Sequence, residues 1–367
     1  MRVSIVMPSL DIGGVERVML HLASGFTSHG LSVDIVVANS SGPLKNEIPC
    51  GVHLVDLQAS RVLFTLPQLA GYLRQTQPDV ILSAKDYQNI VTLLAMKIAR
   101  YKGKVIVTNH IDISADWAWN KSFKSRLIPY FVRYTYPWAT YIVTVSRGAR
   151  QSLARVIGLP AERITVIYNP VISSEMLVKA EEPLNHSWFA PGEPPVILSA
   201  GRLTQQKDYP TLINAFAIVR EKHKARLVIL GDGEDREKLE KLVEKLGLIG
   251  EVELPGFVEN PYKFMKRAAV FVLSSLWEGL PTALIEAMAL GCPVISTNCP
   301  SGPVEILEAG KWGLLVPVGD VDRLAKAILQ VFESPPDREE LRRRGLEFSV
   351  DRAVQRYLEL ICGVNTK

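Results

Sequence analysis

Short β-branched runs punctuate the first half of the 367-residue chain: VSIVMPS, VDIVVA, DVILSA, KVIVTN, YIVTV and ITVIYN, separated mostly by amphipathic segments such as residues 15–28. Near-continuous apolar runs of this length suit strands buried on both faces. With helical patterns between them they predict a parallel sheet with crossover helices. After Asn169-Pro170 the alternation gives way to a polar stretch, 173–195, containing Pro183, Pro191, Gly192, Pro194 and Pro195, which reads as an interdomain linker. A second series follows: PVILSAG, a helix from about Pro210, RLVILGDG, a helix over 235–246, VELPGF, AVFVLSS, a helix over 282–290, PVIST and GLLVP. Helical segments near 321–332, 338–344 and 351–362 end the chain. The expected fold class is α/β, with two Rossmann-like doubly wound domains at 1–172 and 196–350. A return of the last helix, 351–367, to the first domain is left open. Ligands of such sheets bind beyond the carboxyl ends of the strands, and two of them facing each other make a cleft.

The length suits roughly two domains of about 150–200 residues. Met1 leads into the first strand pattern without a cleavable signal, and no uncharged apolar stretch reaches about 18 residues, so a cytoplasmic, non-spanning protein is expected. Cys50, Cys292, Cys299 and Cys362 are scattered, which indicates neither a zinc site nor a disulfide frame. The net charge of +4 is unevenly spread. Residues 1–178 hold 18 Lys/Arg against 11 Asp/Glu, and residues 179–367 hold 24 against 27. A basic first half favours an anionic partner there, a phosphorylated acceptor or an acidic lipid surface, although such an excess also occurs as plain solvated surface.

The strongest chemical signal is Glu278 and Glu286 in EGLPTALIEAMALGCPVIST. Gly279 loosens the turn after a strand, and Pro281 suits a first helical position, so the free backbone N–H groups at the start of the 282–290 helix face the strand's carboxyl end. A carboxylate before such a helix and another one turn inside it can each grip a pair of sugar hydroxyls. A solvated Glu and a capping Glu are the plainer alternative. Arg202 and Lys207 follow the strand-ending Gly201, where a guanidinium fork and an ammonium suit a diphosphate leaving group; surface cations are the alternative. Gly13-Gly14 precede a helix at the end of the first strand, where missing side chains let N–H groups approach a phosphate or sugar, and G-x-G-x-x-G is absent. His110 ends KVIVTNH. Gly231, Asp232 and Gly233 shape a further strand-end loop, and Gly256, Phe257 and Val258 another with backbone groups for a base. Asp320-Val321-Asp322 imitates a metal-binding tripeptide but opens a helix, where Asp is a natural cap. Trp117, Trp119, Phe123, Leu127, Tyr130, Phe131 and Tyr134 recur at roughly helical spacing, with eight basic residues against two acidic between Lys97 and Arg133. They suit either a membrane interface or, as the preferred alternative, a stripe packed on the sheet.

Taken together, PSLDIGGVERV, TNH, VSRGAR, YNPV, AGRLTQQKDYPTLINAF, LGDGEDREKLE, GFVENP and SSLWEGLPTALIEAMALGCPVISTNCPSGPVEIL resemble the retaining GT-B glycosyltransferases of family 4. The resemblance spans about residues 3–318 and is tightest in the second half. It implies that Arg202 and Lys207 bind the donor diphosphate, Glu278 the donor sugar and Glu286 the ribose. Backbone groups of Gly279, Leu280, Pro281 and Thr282 would meet sugar and phosphate. Gly13 and Gly14 would close over the leaving group, with His110 beside the sugar or the acceptor hydroxyl. No metal and no cofactor beyond the nucleotide diphosphate sugar are expected, and no nucleic acid. CPSGPVEIL is similar to bacterial enzymes that add hexoses or N-acetylhexosamines to lipid-linked glycans, which favours a UDP-sugar over a GDP-sugar such as GDP-mannose, and a glycan or lipid-linked acceptor. A nucleotide-sugar hydrolase or epimerase and a catalytically dead glycan-binding protein are the alternatives.

Overall fold

The computed structural model describes residues 1–119 and 123–363. They divide into two compact units, one of Met1–Pro170 with Val350–Lys367 and one of Val171–Ser349.

The first unit runs β1 (Arg2–Met7), α1 (Gly14–Ser28), β2 (Ser32–Val37), β3 (Val52–Asp56), α2 (Leu66–Thr76), β4 (Val80–Ala84), α3 (Asp86–Ala99), β5 (Lys104–Asn109), α4 (Ile113–Trp119), α5 (Phe123–Thr135), β6 (Tyr141–Thr144), α6 (Arg147–Ile157) and β7 (Ile164–Val166). Its strands pair in parallel in the order β3-β2-β1-β4-β5-β6-β7. Ile5 points into a core on one face with Leu22, Phe26 and Ile106, and its neighbour Val6 into the other with Ile81, Val105 and Val107. Burial on both faces is why these strands read as unbroken apolar runs.

The second unit holds α7 (Ser174–Ala180), β8 (Val196–Ala200), α8 (Tyr209–Lys222), β9 (Arg226–Leu230), α9 (Arg236–Lys245), β10 (Val252–Gly256), α10 (Tyr262–Arg267), β11 (Val270–Leu273), α11 (Thr282–Ala289), β12 (Val294–Thr297), α12 (Pro303–Ile306), β13 (Leu314–Val316), α13 (Val321–Glu333) and α14 (Arg338–Gly345). Its parallel sheet is ordered β10-β9-β8-β11-β12-β13. In both units the strand order reverses beside the first strand, between β1 and β4 and between β8 and β11. That is the switch point of a doubly wound sheet, where flanking loops diverge and leave a crevice.

Two expectations are corrected here. The stretch 173–195 is not a free linker, because its polar groups find partners within the second unit. Ser173 caps α7, Asn260 Nδ2 donates to Lys179 O and Glu182 at 2.8 Å each, and His186 stacks edge-on against Phe189 and Phe264 while its Nε2 stands 3.1 Å from Glu253. Nor do the α5 aromatics form the buried stripe. Val132 and Tyr136 are fully buried with Ile128 packed beside them, whereas Leu127, Tyr130, Phe131 and Tyr134 are exposed. Lys121 lies outside the described residues, as do the side chains of Trp119, Phe123 and Lys124.

The closing helix, α15 (Val350–Cys362), packs on α1 in the first unit. Tyr357 meets Phe26 edge-on at 6.3 Å, and Lys104 Nζ donates to Ile361 O at 2.5 Å.

Candidate functional site

In the second unit the loops after β8 and β11 flank the switch point and are bonded to one another. Leu276 N donates to Gln206 O at 2.8 Å, Gln206 Nε2 to Trp277 O at 2.8 Å, and Ser274 Oγ to Lys207 O at 2.7 Å. On this frame Lys207 Nζ stands 2.6 Å from Glu278 Oε1, which also accepts from Ser275 Oγ at 2.6 Å. Glu278 is buried and Lys207 nearly so. A buried carboxylate keeps its charge only when a cation and hydrogen bonds replace water, and both are supplied here. Both bonds fall on one oxygen.

The remaining predicted positions gather around this pair to different degrees. Glu286 lies half-buried on the second turn of α11. α11 begins at Thr282, the expected helix start, with Pro281 as its N-cap in extended conformation (φ −69°, ψ 103°). Gly279, Leu280 and Pro281 turn against Gly302, where a Cβ would come within 2.6 Å of Pro281 Cδ. Gly201 and Gly231 are in backbone contact. Gly231 has φ +131°, and a Cβ on it would meet Gly201 O at 2.0 Å, so only glycine lets the β8 and β9 loops approach. Arg202 is three-quarters exposed and is paired with Glu234, whose Oε2 lies 3.4 Å from its Nη2. Phe257 is exposed and Val258 half-buried beyond β10. Asp320 caps α13, accepting from Arg323 N at 2.9 Å. Burial pushes the Cys299 thiol up to about 12, with the Glu278 carboxylate adding to the shift and Thr297 and Lys207 opposing it.

In the first unit Gly13 caps α1 and Gly14 begins it. His110 follows β5, its Nε2 2.9 Å from Thr108 Oγ1, while its Nδ1 is shielded without a bond of normal geometry. Burial pulls its pKa down to about 4; the Asn169 side chain opposes the shift and the Lys85 charge adds to it. The ring is therefore neutral at ordinary pH. Next to it a buried network joins Asp86, which accepts from Tyr136 Oη at 2.6 Å and from Asn109 Nδ2 at 3.2 Å, to Asn89, which donates to the same tyrosine at 2.9 Å.

Sequence reasoning missed Ser275, Gln206 and Gly302 in the second unit, and Glu16, Lys85, Asp86 and Asn109 in the first. Ser275 precedes Glu278 by three residues in SSLWEG, the one local signal among them.

Residues 181–348 match the model of the glycosyl transferases group 1 family, and residues 12–175 that of Glycosyltransferase Family 4. Similar curated proteins include an uncharacterized glycosyltransferase of Methanocaldococcus jannaschii, 32% identical over 67% of this chain and 62% of that one. An N-acetylgalactosamine-N,N'-diacetylbacillosaminyl-diphospho-undecaprenol 4-alpha-N-acetylgalactosaminyltransferase of Campylobacter jejuni is 27% identical over 90% of each chain. The lipopolysaccharide core biosynthesis glycosyltransferase LpsE of Rhizobium meliloti is 28% identical over 95% of this chain and 96% of its own. Among solved structures, HepE of Anabaena in complex with UDP and glucose superposes with a TM-score of 0.81 at 20% identity, covering 99% of this chain and all of that one.

Proposed function

The chain belongs to glycosyltransferase family 4, with the GT-B fold, and on that premise we propose the reaction. It moves a hexose or N-acetylhexosamine, with retention and without a metal ion, from a nucleotide diphosphate sugar to a glycan or lipid-linked glycan. UDP is preferred to GDP as the carrier. The observation that carries this reading is the Lys207–Glu278 pair across the β8/β11 switch point. Glu278 spends Oε1 on Lys207 and Ser275, which leaves Oε2 for a sugar hydroxyl. Lys207, joined by Arg202 once its exposed side chain turns from Glu234, offsets the negative charge that grows on the departing diphosphate. Glu286 takes the ribose, and residues 279–282 present backbone groups at the start of α11. The names of the Campylobacter and Rhizobium relatives support a lipid-linked or lipopolysaccharide acceptor. A cytoplasmic enzyme attached peripherally to the membrane face fits such an acceptor and the basic first half.

A panel of UDP- and GDP-sugars crossed with free and lipid-linked glycans, scored by nucleotide release in excess EDTA, tests the proposal. UDP release that requires an acceptor is expected. Release without any acceptor would favour a hydrolase or epimerase, and strict dependence on re-added Mg²⁺ or Mn²⁺ would contradict the metal-free mechanism. Glu278→Ala should abolish transfer, and Arg202→Ala should cost roughly 3–4 kcal/mol of transition-state stabilisation. A folded Arg202→Ala enzyme with wild-type turnover would sink the assignment of that residue.

A further inference from the structure

The hydrogen bonds around Thr108 fix where the proton of His110 sits. Thr108 is fully buried near the end of β5, in register with Ala84 of β4. Its carbonyl accepts from Asn89 Nδ2 at 2.9 Å, and Asn89, also fully buried, donates to Tyr136 Oη at 2.9 Å, so the strand end is held from α3. The Thr108 hydroxyl stands 2.9 Å from Ser83 O and 2.9 Å from His110 Nε2. A hydroxyl has one proton to give and a carbonyl oxygen can only accept, so that proton goes to Ser83. Toward His110 the hydroxyl is then an acceptor, and Nε2 must carry the hydrogen between them. The ring has no second proton. Burial keeps it neutral, and Lys85, the cation paired with the buried Glu16 carboxylate, works in the same direction. Nδ1 is therefore a bare lone pair, shielded from solvent, with the buried side chain of Asn169 acting on the ring from the segment after β7.

We propose that Thr108 is the positioning residue for His110: it holds the ring as the Nε2–H tautomer with Nδ1 bare, which makes His110 a hydrogen-bond acceptor alone that moves no proton during sugar transfer. The bearing on transfer rests on the glycosyltransferase reading above; the tautomer does not. A ring whose one N–H is spent inside the fold cannot protonate a leaving group or donate to a phosphate oxygen. What position 108 must supply is a hydroxyl. Valine has nearly the shape of threonine but nothing that accepts from Nε2, whereas serine keeps the acceptor.

Nitrogen-15 NMR of the full chain, labelled at histidine, reads the tautomer, with His110→Gln identifying the His110 signals among the six histidines. At neutral pH wild type should show Nε2 protonated and Nδ1 bare, and Thr108→Ser the same pattern. In Thr108→Val the ratio of Nδ1–H to Nε2–H rings should rise at least about fivefold, the worth of one neutral hydrogen bond. For the donor and acceptor that wild type uses best, kcat/KM should fall about tenfold in Thr108→Val and stay near wild type in Thr108→Ser, with melting temperatures measured alongside. A wild-type ring protonated at Nδ1 overturns the proposal, and that result needs no variant to fold. So does a folded Thr108→Val with the wild-type tautomer ratio or the wild-type kcat/KM, and so does a Thr108→Ser as impaired as Thr108→Val. Should Thr108→Val not fold, the wild-type and Thr108→Ser spectra decide. The expected tautomer in a wild type that transfers from no donor would instead refute the glycosyltransferase reading.

Discussion

At the scale of single residues, titration separates positions that look alike in sequence. His110 is enclosed so that its pKa falls from 6.5 to about 4, chiefly through burial. The folded state therefore holds fewer protons than the unfolded chain between those values, and stability declines as pH falls through that window and is unaffected above it. His110→Gln removes the titration. Its stability relative to wild type should improve by up to roughly 3 kcal/mol between pH about 7 and about 4.5, read from denaturant melts at each pH. An identical wild-type-to-variant difference at both values would show that the ring is not buried as described. Residue scale is also where the sequence spoke least. Glu16 and Lys85 lie 69 positions apart, and a left-handed backbone at a lysine leaves no compositional trace, so neither residue could be picked out before β1 and β4 were seen side by side. Glu278 was legible for the opposite reason. Its turn, helix and second carboxylate are contiguous, so local spacing alone places them.

At the scale of elements, strands were readable because burial on both faces forces β-branched runs, and α8, α9 and α11 start within a residue or so of where turn residues place them. The stretch 173–195 was misread because five Pro and Gly residues suit a folded loop as well as a linker, and what orders them, Asn260, Glu253 and Phe264, lies far along the chain. In α5 the spacing of the apolar residues was seen, but not which of two faces is buried. Val132, and Tyr136 just past the helix end, face the core, whereas Leu127, Tyr130, Phe131 and Tyr134 point outward. The α1–α15 contact yields a sharp prediction. A methyl on Gly25 would stand 2.3 Å from Val354 Cγ2, and α15 is tied at its far end by the Lys104 bond to Ile361 O. Gly25→Ala should therefore destabilise the protein by about 1–3 kcal/mol despite alanine's better helix propensity, and Val354→Ala in the same chain should relieve part of the strain. The measurement is a shift in denaturant midpoint. A Gly25→Ala protein at least as stable as wild type would mean that α15 gives way freely.

At the scale of the whole molecule, charge and apolar exposure fall together on the first unit. Residues 1–178 carry the basic excess, and the same unit exposes Leu127, Tyr130, Phe131 and Tyr134 on α5, with Leu63 and Phe64 ahead of α2. Among the described residues no helix is long and apolar enough to cross a membrane. Exposed rings beside cations are the composition that settles at a bilayer interface, each Lys or Arg near an anionic surface contributing about 1 kcal/mol and the rings adding apolar burial. The proposed peripheral attachment therefore has two separable parts. Binding to anionic vesicles should weaken from low to high salt as the cations are screened, whereas the aromatic share should persist. Tyr130→Ser with Tyr134→Ser, both exposed and away from the core residues Val132 and Tyr136, should lower vesicle binding at both salt concentrations without moving the melting temperature. Co-sedimentation with anionic and neutral vesicles reads both effects. Equal, negligible pelleting with the two vesicle types at low salt would remove membrane attachment from the picture and leave sugar transfer untouched, since none of these residues belongs to the donor site.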